Sequence, residues 1–176
     1  MRQGTPFHLR FQEKSLRHWA SRYPADDDPE VVDVAAARAR SRGYLTKPEF
    51  LRLCRWKTPR SRQACLRNSA GLVAEATRIA LSAKNEELKI GALRVLDGVE
   101  WPTASVILHL CDRAPYPILD VRALWSLGYR RPPRYTFDFW WSYTRFTRDL
   151  ARRNRCTMRD VDRALWQYSK EHPQGA

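Results

Sequence analysis

The most informative stretch of this 176-residue sequence is Leu96-Asp97-Gly98-Val99-Glu100-Trp101-Pro102-Thr103-Ala104. It predicts the end of one helix, a tight turn at Gly98, and a second helix that starts with Thr103-Ala104 facing inward. Such a hairpin points backbone N–H groups and a helix N-terminus outward, where a DNA phosphate can bind without sequence being read. The alternative is an ordinary tight turn between two packed helices.

Helical patterns continue on both sides of this hairpin. Apolar residues recur at helical spacing over 69–83, 86–96 and 137–154, and no alternating strand pattern of useful length is present. Start signals precede several segments, including Asp28 before Pro29, the capping-box spacing that begins at Thr46, and Asn85 before Glu86. We therefore predict an all-α fold of about eight helices that contains a helix-hairpin-helix motif. The first 25 residues carry weaker signals, and we expect them to be loosely tethered.

The charge indicates a polyanionic partner. The chain has 32 Lys and Arg residues against 19 Asp and Glu, a formal net charge of +13, and 26 of the 32 bases are Arg. Arg forks match phosphate oxygens well, so double-stranded DNA is the predicted partner. The alternative is an arginine-rich composition without functional meaning. No run approaches the roughly 20 apolar residues that span a bilayer, so we predict no membrane partner.

The cysteines indicate neither a metal site nor disulfides. Cys54, Cys65, Cys111 and Cys156 are 11, 46 and 45 residues apart, so none forms the close pair typical of zinc or iron–sulfur sites. We expect buried, reduced thiols and no metal. Because the N-terminal residues are polar rather than a signal-peptide core, we predict a cytoplasmic monomer, associated with the nucleoid if bacterial.

The hairpin and its surroundings resemble a known family. Leu96, Gly98, Val99, Thr103 and Ala104 match the helix-hairpin-helix pattern Leu-Pro-Gly-Val-Gly, two residues, Thr-Ala, with Glu100 at the second glycine. The segment 117–122 resembles the loop that presents a catalytic aspartate in the helix-hairpin-helix DNA glycosylase superfamily, and Asp120 lies 20 residues after Glu100. The segment 49–58 resembles the helix of that family which ends in a Gln-Gln-Thr-like wedge. The resemblance covers about residues 45–127.

The resemblance implies a function and its chemistry. It implies a monofunctional DNA glycosylase that hydrolyses the N-glycosidic bond of a damaged or modified base flipped out of the duplex. Asp120 would stabilise positive charge on the sugar and orient or deprotonate the attacking water. The Lys of lyase-competent members is replaced by Pro102, so no β-lyase step is implied. No organic cofactor is implied, although hairpin carbonyls would suit a monovalent cation. The implied division is an N-terminal helical extension, 1–43, packed on a glycosylase-like core, 44–172.

The resemblance and the charge pattern also indicate binding residues. The predicted DNA contacts are Gly98, Val99, Glu100, Thr103, Arg60 and Arg62. The predicted base pocket or wedge consists of Trp56, Lys57, Trp101 and Tyr116. Each has a structural alternative: the aromatic residues can be core, the arginines a solvated face, and Asp120 an N-cap.

Two other functions fit the sequence. A non-catalytic helix-hairpin-helix DNA-binding protein would keep the hairpin without the chemistry, which Glu100 and the missing glutamines favour. An adaptor would use the aromatic helix near the C-terminus to bind a partner protein. The first predicts salt-sensitive duplex binding without base release; the second predicts a complex that survives nuclease treatment.

Overall fold

A computed structural model describes residues 7–24 and 30–172 of the chain. Within these residues the fold is all-α, as predicted, and no strand is present. Residues 7–24 and 30–172 form ten α-helices rather than about eight, because three of the ten have only six residues. The helices are α1 (Leu16–Ser21), α2 (Glu30–Arg42), α3 (Lys47–Lys57), α4 (Arg62–Arg67), α5 (Ala70–Ser82), α6 (Glu86–Arg94), α7 (Trp101–Cys111), α8 (Val121–Ser126), α9 (Phe137–Arg153) and α10 (Met158–Glu171).

Most predicted start signals act as caps. Thr46 and Glu49 form the expected capping box at α3, in which the Thr46 N–H donates to Glu49 Oε2 over 2.8 Å. The side chain of Asn85 accepts from the Leu88 N–H at α6. The predicted N-cap of α2, Asp28, lies outside the described residues. These caps explain why the helix starts were readable from local sequence.

The helices divide into two units. The terminal unit contains residues 1–25 and 115–176, and the central unit contains residues 26–114. The division predicted from the resemblance, at residue 43, coincides with neither boundary and stays a prediction. Helix α2 belongs to the same unit as α3 to α7.

In the central unit, α7 is the most buried helix. Nine of its eleven residues are buried, and it packs against α2, α3, α5 and α6. At its C-terminal end the buried ammonium of Lys89 donates to Asp112 Oδ2 over 2.6 Å and to the Ala80 carbonyl over 3.1 Å. The hairpin is therefore attached to the helix that forms the core of its unit.

In the terminal unit, α10 packs against α1, α8 and α9. The expectation of a loosely tethered N-terminal segment is wrong for residues 7–24. Phe7 is 3% exposed and Leu16 is 1% exposed. The backbone N–H groups of His8 and Arg10 donate to the carbonyls of Leu127 and Ser126. Phe7 is buried among the aromatic rings of α9. These contacts hold the segment in place, and no local sequence pattern predicts them.

Among the described residues, no helix is long and apolar enough to cross a membrane.

Candidate nucleic-acid interface

The hairpin connects α6 to α7 through a turn at Gly98. Gly98 has φ +79°, a left-handed conformation that glycine adopts at low cost. A Cβ at this position would lie 2.8 Å from Cys65 Sγ and 3.0 Å from the Cys65 backbone nitrogen. Both the backbone angle and the close approach to α4 therefore require glycine. The predicted turn is present, and the turn packs against α4 rather than standing alone.

Asn68, which follows α4, holds the hairpin in place. Its side-chain Nδ2 donates to the Asp97 carbonyl over 2.9 Å, and the Asp97 N–H donates to Asn68 Oδ1 over 2.8 Å. Nδ2 also donates to the Cys65 carbonyl, and Asn68 is only 3% exposed. No local sequence pattern indicates a role for this residue, because the two partners are 29 positions apart.

The predicted DNA-contacting residues of the hairpin differ in exposure. The side chains of Val99 and Thr103 are buried, Gly98 is partly exposed, and Glu100 is exposed. Val99 and Thr103 can therefore reach a phosphate only through their backbone. The N–H groups in the first turn of an α-helix have no partner within the helix, and the first turn of α7 lies beside this turn with one donor fewer, because Pro102 has no N–H. The Glu100 side chain does not cap α7.

Two arginines lie next to the acidic side chains of the hairpin. The Arg94 guanidinium lies 4.3 Å from the ring centroid of Trp101 and 3.6 Å from the Glu100 carboxylate. Arg67 Nε lies 3.1 Å from the Asp97 carboxylate, and both side chains are exposed. These arginines offset the two acidic groups of the turn. Exposed ion pairs of this kind contribute little to stability.

The segment after α3 lies beside the hairpin. Thr58 Oγ1 and Thr103 Oγ1 are 3.5 Å apart, so the α3–α4 connection meets the first turn of α7. Trp56 and Lys57 end α3 and are half-buried, whereas Arg60 and Arg62 are exposed. The predicted wedge residues, the two predicted arginine contacts and the hairpin thus all belong to the central unit. It also contains Trp101, which is 8% exposed.

Asp120 and Tyr116 belong to the terminal unit. Asp120 is the N-cap of α8, and its Oδ1 accepts from the Arg122 N–H over 2.8 Å. Burial, with a smaller contribution from the Asp120 charge, raises the pKa of Tyr135. The carboxylate is partly exposed. The N-cap alternative is therefore observed, and a partly exposed carboxylate at a helix start can also meet a ligand.

Tyr116 lies in the core of the terminal unit. It is 1% exposed and stacks on Trp140 with ring centroids 5.9 Å apart and planes 10° from parallel. The Arg148 guanidinium covers the Tyr116 ring at 4.6 Å and donates from Nε to the Pro115 carbonyl over 2.7 Å. Stacking of Tyr116 on an extruded base would require this packing to open, so its predicted place in a base pocket stays a prediction.

Within the described ranges, no group of three His, Cys, Asp or Glu side chains is arranged to hold a metal ion. The chain matches no protein-family model, no curated protein and no solved structure.

Proposed function

We propose that this chain is a monofunctional DNA glycosylase that binds duplex DNA through the α6–α7 hairpin and hydrolyses the N-glycosidic bond of a damaged or modified base. The observation that carries the proposal is the left-handed turn at Gly98, held against α4 and followed directly by α7. A rigid turn of this kind costs little further ordering when it binds a phosphate. The formal charge of +13 supports the same partner.

Phosphate binding would use the backbone of the hairpin and the arginines near it. Backbone N–H groups at the start of α7 supply donors, and the helix dipole favours the anion. Arg60 and Arg62 are exposed and follow the half-buried Trp56 and Lys57 by a few residues. These contacts would position the duplex without reading its sequence.

Base release would use Asp120. A base cannot be attacked inside the stack, so it must first leave the duplex. Cleavage of the N-glycosidic bond leaves the electron pair on the departing base and develops positive charge on the deoxyribose. A carboxylate stabilises that charge and accepts a proton from water as the new C1′–O bond forms. Pro102, which has no amine, is consistent with water as the nucleophile.

The decisive experiment measures base release and abasic-site formation on a panel of duplexes with modified bases. Asn is as good an N-cap as Asp, so Asp120→Asn should keep the fold while removing the carboxylate. We expect wild type to release base from at least one duplex, and Asp120→Asn to lose about 10²-fold or more in rate. Asp138→Asn, at an exposed acidic residue in the first turn of α9, is the matched control. Equal rates for wild type and Asp120→Asn would remove Asp120 from the mechanism.

A non-catalytic duplex-binding protein is the second candidate, and one observation favours it. The Asp120 carboxylate already accepts a hydrogen bond as the cap of α8. This candidate predicts duplex binding without base release on any substrate. In both cases log affinity falls linearly with log salt. Replacing Arg60 or Arg62 with Gln should reduce the slope by about 1 if the replaced side chain neutralises one phosphate.

A further inference from the structure

Four apolar side chains are exposed on the outward surface of α5 and α6. Among residues 7–24 and 30–172, eight large apolar side chains are exposed, and four of them are on these two helices. They are Leu72 and Ile79 on α5 and Leu88 and Val95 on α6, and each is between 42% and 62% exposed. Single exposed apolar residues are normal, whereas a group on one face marks an interaction surface. We call these four residues the α5–α6 strip.

The α5–α6 strip follows the line along which the two helices meet. The helices are joined by three residues and pack against each other, so they run antiparallel. The Lys89 ammonium of α6 donates to the Ala80 carbonyl of α5, which places both residues at this line. On α5 the two apolar residues are four positions before and three after the buried Ala76, and those of α6 have the same spacing about the buried Ala92. Residues at this spacing share a helix face, so large side chains flank small ones on both helices.

The local charge around the strip permits contact with a second copy of the chain. Residues 70–95 carry four bases and three acids, whereas the whole chain carries a formal net charge of +13. Two copies of a chain this basic repel each other, and the repulsion is least where the local charge is balanced. The exposed apolar residues thus lie in a segment of nearly balanced charge.

The order of charges on α5 is self-complementary. Glu75 and Arg78 are both exposed, and they lie between Leu72 and Ile79 in the sequence. When α5 packs antiparallel against α5 of a second copy, Leu72 comes opposite Ile79 of that copy. Glu75 then comes opposite Arg78, and a two-fold axis makes each of these contacts twice. A parallel arrangement would place like charges opposite each other instead.

Helix α6 has the same order of charges. Glu87 is near its start and Arg94 is at its end, and both are exposed. In the antiparallel arrangement Glu87 comes opposite Arg94 of the second copy. Arg94 also lies 3.6 Å from the Glu100 carboxylate, so the charged pair of α5 is the clearer one to test.

We propose that the α5–α6 strip binds the same strip of a second copy of this chain. The two copies are related by a two-fold axis perpendicular to the helices, with α5 antiparallel to α5 and α6 antiparallel to α6. The apolar side chains form the centre of the contact, and the opposite charges lie at its rim. This dimer differs from the monomer that the sequence predicts, and neither Asp120 nor base release enters the contact.

The test is sedimentation velocity of the full chain over a series of concentrations. We expect dimers with a dissociation constant of about 1–100 µM, as a small interface gives. Ile79→Gln should weaken dimerisation about tenfold or more, because it removes apolar area twice in each dimer. Urea unfolding at a concentration far below the dissociation constant should show that its fold is kept. Val31→Gln, at an exposed apolar residue of α2, is the matched control and should dimerise like wild type.

A charge swap tests the antiparallel contact itself. Glu75→Arg should weaken dimerisation about tenfold, because two arginines then face each other at two places in the dimer. The double variant Glu75→Arg with Arg78→Glu should return to within about threefold of wild type, because opposite charges face each other again. Its control combines Glu75→Arg with Arg145→Glu, at an exposed arginine of α9, which restores the net charge without restoring the pair. This control should stay weak.

Three results would overturn the dimer. Wild type that remains monomeric up to about 500 µM would leave the strip to a different partner. An unchanged dissociation constant for Ile79→Gln would place the contact on another surface. Equal recovery in both double variants would make the charge effect one of net charge. None of these results bears on base release, so the glycosylase proposal is tested separately.

Discussion

The side-chain amide of Asn68 forms two hydrogen bonds with the backbone of Asp97, one as donor over 2.9 Å and one as acceptor over 2.8 Å. This pairing imitates the contact between two antiparallel strands, although both residues are in connections between helices. It joins the end of α4 to the α6–α7 turn at the point where the turn changes direction. A buried amide that satisfies both groups of one residue fixes that turn in a single conformation.

Asn68→Ala should therefore destabilise the protein and disorder the hairpin. It removes both hydrogen bonds and leaves the Asp97 N–H and carbonyl without these partners, so we expect a loss of about 2–4 kcal/mol in the free energy of unfolding. Urea denaturation gives this value. Asn68→Asp keeps the acceptor but places a buried carboxylate oxygen against the Asp97 and Cys65 carbonyls, so its loss should be at least as large. A change below about 0.5 kcal/mol for Asn68→Ala would show that the pairing does not hold the turn.

Replacing two glycines near the hairpin with alanine should change the free energy of unfolding in opposite directions. Gly98→Ala places a Cβ 2.8 Å from Cys65 Sγ at φ +79°, so we expect a loss of about 2 kcal/mol or more and weaker DNA binding. Gly91→Ala, inside α6 with no atom within 4 Å of the new Cβ, should stabilise by about 0.5–1 kcal/mol. Thermal and urea unfolding of both variants check this, and stabilisation by Gly98→Ala would contradict the described turn.

Removal of the carboxylate at Glu100 should strengthen binding to DNA. Its side chain is 79% exposed at the start of α7, and its carboxylate lies 3.6 Å from the Arg94 guanidinium. The carboxylate therefore repels a phosphate at this position and pairs with an arginine that could otherwise bind the phosphate. We expect Glu100→Gln to raise duplex affinity about 3- to 10-fold at low salt, with the gain shrinking as salt increases. Glu87→Gln, on the exposed surface of α6, is the control. If both variants raise affinity equally, the effect is one of net charge and the hairpin is not the binding site.

The buried ion pair of the central unit should be sensitive to loss of one partner. The side chains of Lys89 and Asp112 are 9% and 7% exposed, with their charged atoms 2.6 Å apart. Lys89→Met leaves a buried carboxylate without its cation, and we expect a loss of about 3–5 kcal/mol. The double variant with Asp112→Asn should recover part of this loss, which a double-mutant cycle measures. Additive losses would show that the two charges are not coupled.

Acid should weaken the α3 cap through Glu49. Burial by itself would raise the pKa of Glu49, but hydrogen bonds from the Thr46 N–H and hydroxyl and from Arg42 outweigh it and lower the pKa below its ordinary value of 4.5. A lowered pKa in the folded state stabilises the protein above pH 4.5, and this contribution disappears as the pH falls through the folded value. Glu49→Gln keeps the capping-box acceptor. The stability difference between wild type and Glu49→Gln should therefore be largest near pH 7 and narrow toward pH 3, as urea titrations at each pH would show; a constant difference would contradict this cause.

The helix starts are predictable from the sequence because the two partners of a capping hydrogen bond are close together in the chain. Thr46 and Glu49 are three residues apart, and so are Asn85 and Leu88, so a short window of sequence contains both partners. The same holds for Gly98, where a tight turn between two apolar helical patterns is predicted and is present, with φ +79°. The all-α class followed from these signals and from the helical spacing of apolar residues.

Contacts between segments far apart in the chain cannot be predicted from a short window of sequence. No local pattern links Asn68 to Asp97, and none links Phe7 to the rings of α9 that bury it. The sequence by itself determined the helices, the turn at Gly98 and the excess of positive charge, because propensity, capping and charge are properties of neighbouring residues. Only the tertiary structure decided which side chains are buried and how the turn is held, because both depend on packing between segments far apart in the chain.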